Sequence, residues 1–225
     1  MKLILATRNQ HKIEEIKKIL SEPDEEKLAR SVRLRRMAST GENKRVSQNL
    51  EILTLQDFPD VPEVEETGKT MRENAILKAK AVYAATGIPA LADDSGLEVD
   101  ALNGAPGVVS ARFAGPGYTY KDNNIKLLGL LKGIPEDKRG AAFRCVVALA
   151  LSQDDIRIVE GAVKGIITQK EIGENGFGYD PVFYYPELEK TFAQLTQEEK
   201  NRVSHRGIAF RKAKELISKS MTNNE

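Results

Sequence analysis

Tryptophan is absent from the 225 residues, and histidine and cysteine are scarce: His11 and His205 are the two histidines and Cys145 the one cysteine. A lone cysteine excludes an intrachain disulfide and suits a reducing compartment. There is no Cys-x-x-Cys pair and no His-Glu-x-x-His run, so nothing supports a structural zinc site. Long apolar runs are missing too. The longest, at 145–151, is too short to span a bilayer. Met1-Lys2-Leu3-Ile4-Leu5 passes straight into a strand pattern, without a signal peptide's apolar stretch and cleavage site. Neither sign of charge is in excess: 34 basic and 33 acidic side chains leave +1, so no global field draws the chain to nucleic acid or membrane. What remains is an ordinary globular composition, long enough to bury a sizeable core. The expectation is a soluble cytoplasmic protein.

Residues 89–115, PALADDSGLEVDALNGAPGVVSARFAG, organise the chain. Apolar 89–92 reads as the end of a short strand, Asp93-Asp94-Ser95-Gly96 as a tight turn, and Leu97, Val99 and Ala101 as one face of a second strand. Side chains alternate along extended backbone, so the two carboxylates point to opposite sides. One can face a cleft while the other anchors the turn. Asp-Ser-Gly is also common turn chemistry with a purely structural use.

Upstream, Leu3–Ala6 reads as a buried strand, and Ile13, Ile16, Ile19 and Leu20 as one face of a helix. Between them lie Thr7, Arg8, Asn9, Gln10, His11 and Lys12. A polar turn feeding a helix N-terminus offers free N–H groups to an anion, with Lys12 as a point charge; the plainer reading makes Thr7 or Asn9 a helix cap. Residues 21–49 form an atypical polar insertion, with a possible helix at 24–39 whose Arg30, Arg33, Arg35 and Arg36 read as a solvated face. Glu65-Glu66-Thr67-Gly68 precedes a helix at 70–86, whose core-facing set is Met71, Ile76, Leu77, Ala81, Val82 and Ala85. Gly68-Lys69-Thr70 is no P-loop, because Glu63 stands where a glycine is required.

A short helix at 123–131 and a hairpin of 139–151 with 156–168 follow. The Gly-rich 173–180, GENGFGYD, lacks dinucleotide-loop spacing and opens no helix. Its Phe177 either covers a flat ligand or joins the core. Thr196 and Glu199 form a capping box, 201–207 interrupts the last helical stretch, and 208–217 continues it before a flexible tail at 218–225. Ser204-His205-Arg206 concentrates donors that suit a base edge.

Taken in series, LATRNQHKIEEI, EETGKTMRENAILKA, ALADDSGLEVDALNGAPGVVSARFAG, NGFGYDPVF and EEKNRVSHRGIA resemble the inosine/xanthosine triphosphate pyrophosphatase family. The likeness covers nearly all of the chain except 21–49. It implies an α/β fold, with an elongated mixed sheet, flanking helices and two lobes around a substrate cleft, spanning 1–217, and a homodimer. It implies Mg²⁺-dependent hydrolysis of non-canonical purine nucleoside triphosphates (ITP, dITP, XTP) to the monophosphate and pyrophosphate. By motif, Thr7 through Lys12 and Lys78 hold the phosphates, and Glu65 and Asp94 engage Mg²⁺. Asp94 activates the attacking water and Ser95 touches the substrate. Phe177, Gly178, Tyr179 and Asp180, with Lys200, His205 and Arg206, hold the nucleoside. The insertion departs from the family pattern, as does QKEIGE at 169–174, just before Phe177.

The residue chemistry agrees. Phosphoryl transfer needs positioning and charge neutralisation, and Mg²⁺ takes one or two carboxylates plus phosphates. A 6-oxopurine offers two acceptors to an arginine where adenine offers an amino group. Rival readings are a pyrophosphatase for pyrimidine or modified nucleotides, a non-catalytic nucleotide sensor, and a nucleic-acid module using the basic arm; near-zero net charge opposes the last.

Overall fold

The computed structural model describes residues 1–22 and 50–222. The expected helix at 24–39 and its arginines, together with 223–225, lie outside the described residues. Strand β1 (Lys2–Leu5) leads into helix α1 (Gln10–Ser21), followed by β2 (Glu51–Thr54), α2 (Met71–Thr86) and β3 (Ala90–Val99). Helix α3 (Tyr120–Leu130) precedes the hairpin of β4 (Gly140–Ala150) and β5 (Ile156–Ile167). Short strands β6 (Phe183–Tyr185) and β7 (Lys190–Thr191) come next, then helices α4 (Gln197–Val203) and α5 (His205–Thr222). They build one seven-stranded mixed sheet ordered β2-β1-β3-β4-β5-β6-β7. β1 runs parallel to β2 and β3, and every later pairing is antiparallel.

Apolar periodicity decides what covers each face. Ile13, Ile16 and Ile19 of α1 and Phe210 and Ile217 of α5 pack on Leu3, Leu5, Leu91 and Val147. On the opposite face, Met71, Ala75, Ala79 and Val82 of α2 cover Ile4, Ala90, Ala92 and Ala148. A third core gathers Leu97, Val99 and Phe143 with Leu127, Phe183 and Phe192. The first half of β3 thus belongs to one lobe and its last residues to the other. The polar residues 93–96 fall where the cores part.

Asp93-Asp94-Ser95-Gly96 is not the turn expected from the sequence. All four residues lie inside β3, with Asp93 opposite Val147 and Asp94 opposite Val146 of β4. Distant partners satisfy their side chains, so the local backbone bonding that makes Asp-Ser-Gly a turn is not needed. Gly96 is required by close approach. A Cβ there would lie 2.6 Å from the Met71 Cε and closer still to the Gly107 carbonyl oxygen.

Helix α2 is rotated from the apolar set read in the sequence. Its buried residues are Met71, Asn74, Ala75, Ala79 and Val82, while Leu77 is exposed. The inward face carries Asn74, with Lys78 one turn on, and polar residues on an inward stripe disguise it. Thr70 caps this helix in a capping box with Glu73. Helix α3 begins at Tyr120, earlier than expected, because Thr119 and Asp122 make another such box. The break before the last helix is confined to Ser204, and the helix then runs unbroken from His205 through Thr222. Residues 218–222 lie in this helix, where buried Ser220 accepts a hydrogen bond from Arg157 Nη1 at 3.0 Å.

Gly96→Ala should lower stability by about 1–3 kcal/mol through overpacking in the middle of β3. A urea midpoint equal to wild type would refute this.

Candidate active site

One cleft of about 690 Å³ runs between the lobes, crossing β3 where its polar residues lie. Thr7, Arg8, Asn9 and Lys12 line one end. The turn is tied down locally: Asn9 Oδ1 accepts from the Lys12 backbone N–H at 3.2 Å, and Thr7 Oγ1 accepts from the Asn9 N–H at 3.2 Å. Capping by Asn9 and an anion site are compatible, since one cap satisfies one of four orphan donors and the helix end stays electropositive. Arg8 Nη2 donates to the Val61 carbonyl at 2.7 Å, joining the turn to the loop that carries Glu65 and Glu66. Gln10 and His11 do not line the cleft. Gln10 bonds Glu14, and the His11 ring stacks on Phe177.

The pleat of β3 separates the two aspartates. Asp94 faces α2, where Asn74 Nδ2 donates to its Oδ2 at 3.1 Å and the Ser95 N–H to its Oδ1 at 3.0 Å. Lys78 Nζ stands 3.9 Å from Asp94 Oδ1 and donates to Glu66 Oε1 at 2.8 Å and to the Asp93 carbonyl at 2.6 Å. Burial raises the Asp94 pKa, against the pull of Lys78 and with the help of Glu66. At Glu66 burial works upwards, but Lys78 above all outweighs it and holds the carboxyl below its usual range. Two carboxylates thus share one ammonium, with Arg112 3.4 Å from the far oxygen of Glu66. Glu65, the residue singled out in the sequence, is exposed at the cleft edge; the contact with Lys78 belongs to its neighbour.

Asp93 points the other way. Its Oδ2 accepts from Lys12 Nζ at 2.9 Å and from Ser95 Oγ at 2.8 Å, with Arg206 Nε at 3.8 Å. Burial opposes its ionisation, but Lys12, Arg206 and Lys78 keep its pKa far below the ordinary value. Cys145 sits behind it, with Sγ 4.0 Å from Asp93 Oδ2; burial and this carboxylate push the thiol up to about 12.

Beyond Asp93 lies a buried ion cluster at the far end of the cleft. Glu15 of α1 accepts from Lys200 Nζ at 2.7 Å and from Arg206 Nη1 at 2.6 Å. Lys200 also donates to Asp180 at 2.6 Å, and Arg206 Nη2 to Ser95 Oγ at 3.1 Å. Two cations outweigh burial at Glu15 and hold it at about 2; Asp180 has one cation, so burial wins and its pKa rises. Burial, with Arg206 and Lys200 beside it, keeps His205 neutral far below its usual range. Its ring stacks on Phe143 at 4.6 Å between centroids, and its buried Nδ1 has no partner among the described residues.

Phe177 lies over this cluster, with Lys200 Nζ 4.8 Å and Arg206 Cζ 5.3 Å from its ring centroid. Asp180 accepts from the Phe177 N–H at 2.8 Å, and the buried Tyr179 hydroxyl donates to the Ser110 carbonyl at 2.8 Å. Asn124 of α3 holds the Gly178 carbonyl and the Glu171 carboxylate. The loop is therefore anchored by Asp180, Tyr179 and Asn124, and its aromatic ring is left in the cleft.

Most residues read from the sequence converge here. Glu15, Glu66, Asn74 and Arg112 complete the site and were not singled out, while Asp93 and Asp94 point to opposite sides as expected. Glu15 had a weak signal, a carboxylate four residues before Ile19 and so within the apolar stripe of α1. Nothing in the pattern separated Glu66 from Glu65.

An open helix end, clustered cations, two carboxylates on one lysine and a half-buried ring over buried donors define an α/β protein built to hold a polyanion with a flat aromatic head. The comparisons carry this further. The chain belongs to the Ham1 family, whose model matches residues 3–216. The dITP/XTP pyrophosphatase of Desulforamulus reducens is 45% identical over 225 residues, the whole of both chains. That of Bacillus cereus is 52% identical over 171 residues, 75% of this chain and 83% of its own. The solved HAM1 protein of Coxiella burnetii superposes with a TM-score of 0.79 at 36% identity, covering 97% of this chain and 99% of that one. The Staphylococcus aureus Ham1 structure gives 0.78 at 36%, covering 98% and 100%.

Removing one member of a buried ion cluster leaves the others uncompensated. Glu15→Gln should therefore destabilise the protein by about 3–5 kcal/mol at neutral pH. Because the folded Glu15 pKa is depressed, its contribution is present above about 4.5 and is lost as pH falls towards about 2. The gap between wild type and variant should close over that window in urea titrations; a gap independent of pH would show that the charge of Glu15 is not what matters.

Proposed function

We propose that the protein hydrolyses non-canonical purine nucleoside triphosphates such as dITP, ITP and XTP to the monophosphate and pyrophosphate, as the names of its relatives indicate for those proteins. The observation that carries the reading is the placement of Asp94 and Glu66 around Lys78, between an open helix end and a buried donor cluster. Phosphates lie against Thr7, Arg8, Asn9, Lys12 and Lys78, and the base lies on Phe177 near Lys200, His205 and Arg206.

The residues fit a Mg²⁺ ion. Glu66 and Asp94 share Lys78, and although Arg112 also lies 3.4 Å from Glu66, burial with repulsion from Glu66 raises the Asp94 pKa. A divalent cation on hard carboxylate oxygens relieves this, and Mg²⁺ binds through one or two carboxylates with phosphates. Glu66 and Asp94 would hold it, and when bound it supplies positive charge against the phosphate oxygens. Asp94 takes the proton of the attacking water, and that oxygen bonds to the α-phosphorus. The bond from this phosphorus to the α–β bridging oxygen breaks, and its electron pair leaves with pyrophosphate. Asn74 and the Ser95 N–H hold the Asp94 carboxylate in one orientation. Lys12 and Lys78 neutralise charge that develops on the phosphates.

Base choice follows from unpaired donors. Lys200 and Arg206 have no acceptor role, and their ion pairs with Glu15 and Asp180 fix where they point. A 6-oxo group accepts from such donors, whereas the adenine amino group leaves a buried donor unpaired. Ser95 carries this end to the other by bonding both Asp93 and Arg206.

The reading also takes the protein to act in the cytoplasm as a homodimer. Among the described residues no helix is long and apolar enough to cross a membrane. Sedimentation at micromolar concentration tests the dimer, and a monomer would exclude it.

Pyrophosphate release should favour dITP, ITP and XTP over ATP and GTP and vanish with chelator. Release from ATP at an equal rate would overturn the purine 6-oxo reading. Asp94→Asn should abolish turnover while nucleotide still binds in calorimetry. Glu66→Gln should lower turnover by about 100-fold or more, as loss of a central charged group does, with Glu65→Gln within a few-fold of wild type. The reverse order would return the metal-binding role to Glu65.

A further inference from the structure

We propose that His11 is a plug for the base platform: its imidazole stacks on Phe177 and is exchanged for the purine when nucleotide binds. The inference rests on the reading of Phe177 as the surface on which the base stacks. The His11 and Phe177 centroids lie 5.3 Å apart with ring planes 15° from parallel, so the imidazole is stacked on Phe177. Each aromatic stack needs centroids at least about 4.5 Å apart, so a base inserted between two rings would need about 9 Å. The observed spacing admits no base between them.

Phe177 has other neighbours, and what holds each decides which one yields. Lys200 and Arg206 also lie over the ring, but both are buried and fixed by Glu15, Asp180 and Ser95. His11 sits on the exposed first turn of α1, and among the described residues its side chain makes no hydrogen bond. Displacing it breaks one stack; displacing either cation breaks a buried ion pair. The imidazole is the group that moves.

His11 and Glu15 are one turn apart on α1, so helix geometry puts them on the same face. One touches Phe177 and the other the cations beneath it. A second bridge runs beside them: Asn9 Nδ2 donates to Tyr120 Oη at 3.1 Å, and the Tyr120 ring is tilted against Phe177 at 5.9 Å. Side chains thus reach from the phosphate turn to Phe177 and to Tyr120 of α3. The stack opposes every ligand that uses the platform, and a purine, with the larger ring surface, offsets its loss better than a pyrimidine does.

Calorimetry with inosine and inosine monophosphate in metal-free buffer reads the platform without turnover. His11→Ala should tighten both by about 2- to 10-fold, the worth of one aromatic pair, and His11→Phe should weaken both. If His11 instead holds phosphate, His11→Ala weakens the monophosphate and leaves inosine unchanged; this result, or no change in either ligand, overturns the proposal. Phe177→Ala separates the two readings. If it leaves inosine binding at the wild-type value, Phe177 is not the platform and the underlying assignment fails with the plug. If it weakens inosine while His11→Ala does not tighten it, the plug alone fails. The ring protons of His11, shifted upfield over Phe177 in the free protein, should move downfield on adding inosine monophosphate; signals that stay in place would also overturn the exchange.

Discussion

The two-residue repeat of β3 is the constraint on which the site depends. Because neighbouring side chains leave a strand in opposite directions, Asp93 and Asp94 serve opposite faces of the sheet from adjacent positions. Asp94 meets Asn74 and the Lys78–Glu66 pair on the α2 side. Asp93 meets Lys12, Ser95 and Arg206 on the α1 and α5 side. A turn at this point would have left both carboxylates to hydration and local bonding. Continuous pairing from Ala90–Ala150 to Val99–Ala141 instead holds them rigidly on the floor of the cleft.

Charge is then distributed in two ways. On the Asp93 side, Glu15, Asp93 and Asp180 match Lys12, Lys200 and Arg206 one for one. This assembly is internally neutral, which lets it sit buried and keep its donors aimed. Around Asp94 the cations are shared: Lys78 lies 2.8 Å from Glu66 and 3.9 Å from Asp94, and Arg112 pairs with Glu66. In the proposed function, recognition and chemistry occupy opposite faces of this one strand.

Much of this was legible in the sequence. The apolar repeat of α1, the hairpin of β4 and β5 and the Thr196 capping box follow from local rules, and the structure has them within a few residues. Thr7, Arg8, Asn9, Lys12, Asp94, Lys78, Phe177, His205 and Arg206 all line the cleft. What escaped has a common cause. Glu15 and Asn74 are polar residues buried by partners distant in the chain, and no local pattern announces such a partner. The same effect hid the true inward face of α2, because Asn74 and Lys78 interrupt its apolar stripe. It also made β3 look like two strands and a turn. The choice between Glu65 and Glu66 depends on which side chain reaches Lys78, a matter of loop conformation rather than composition.

Cys145 gives these features a practical use. Its thiol is enclosed beneath Asp93 and stays protonated through the neutral range, so it is shielded from both alkylating and oxidising reagents while β3 and β4 remain paired. As the chain has no other cysteine, any labelling records an opening of the cleft floor. The protein thus carries an internal reporter for the breathing of its central strands, readable by mass after exposure to a thiol reagent.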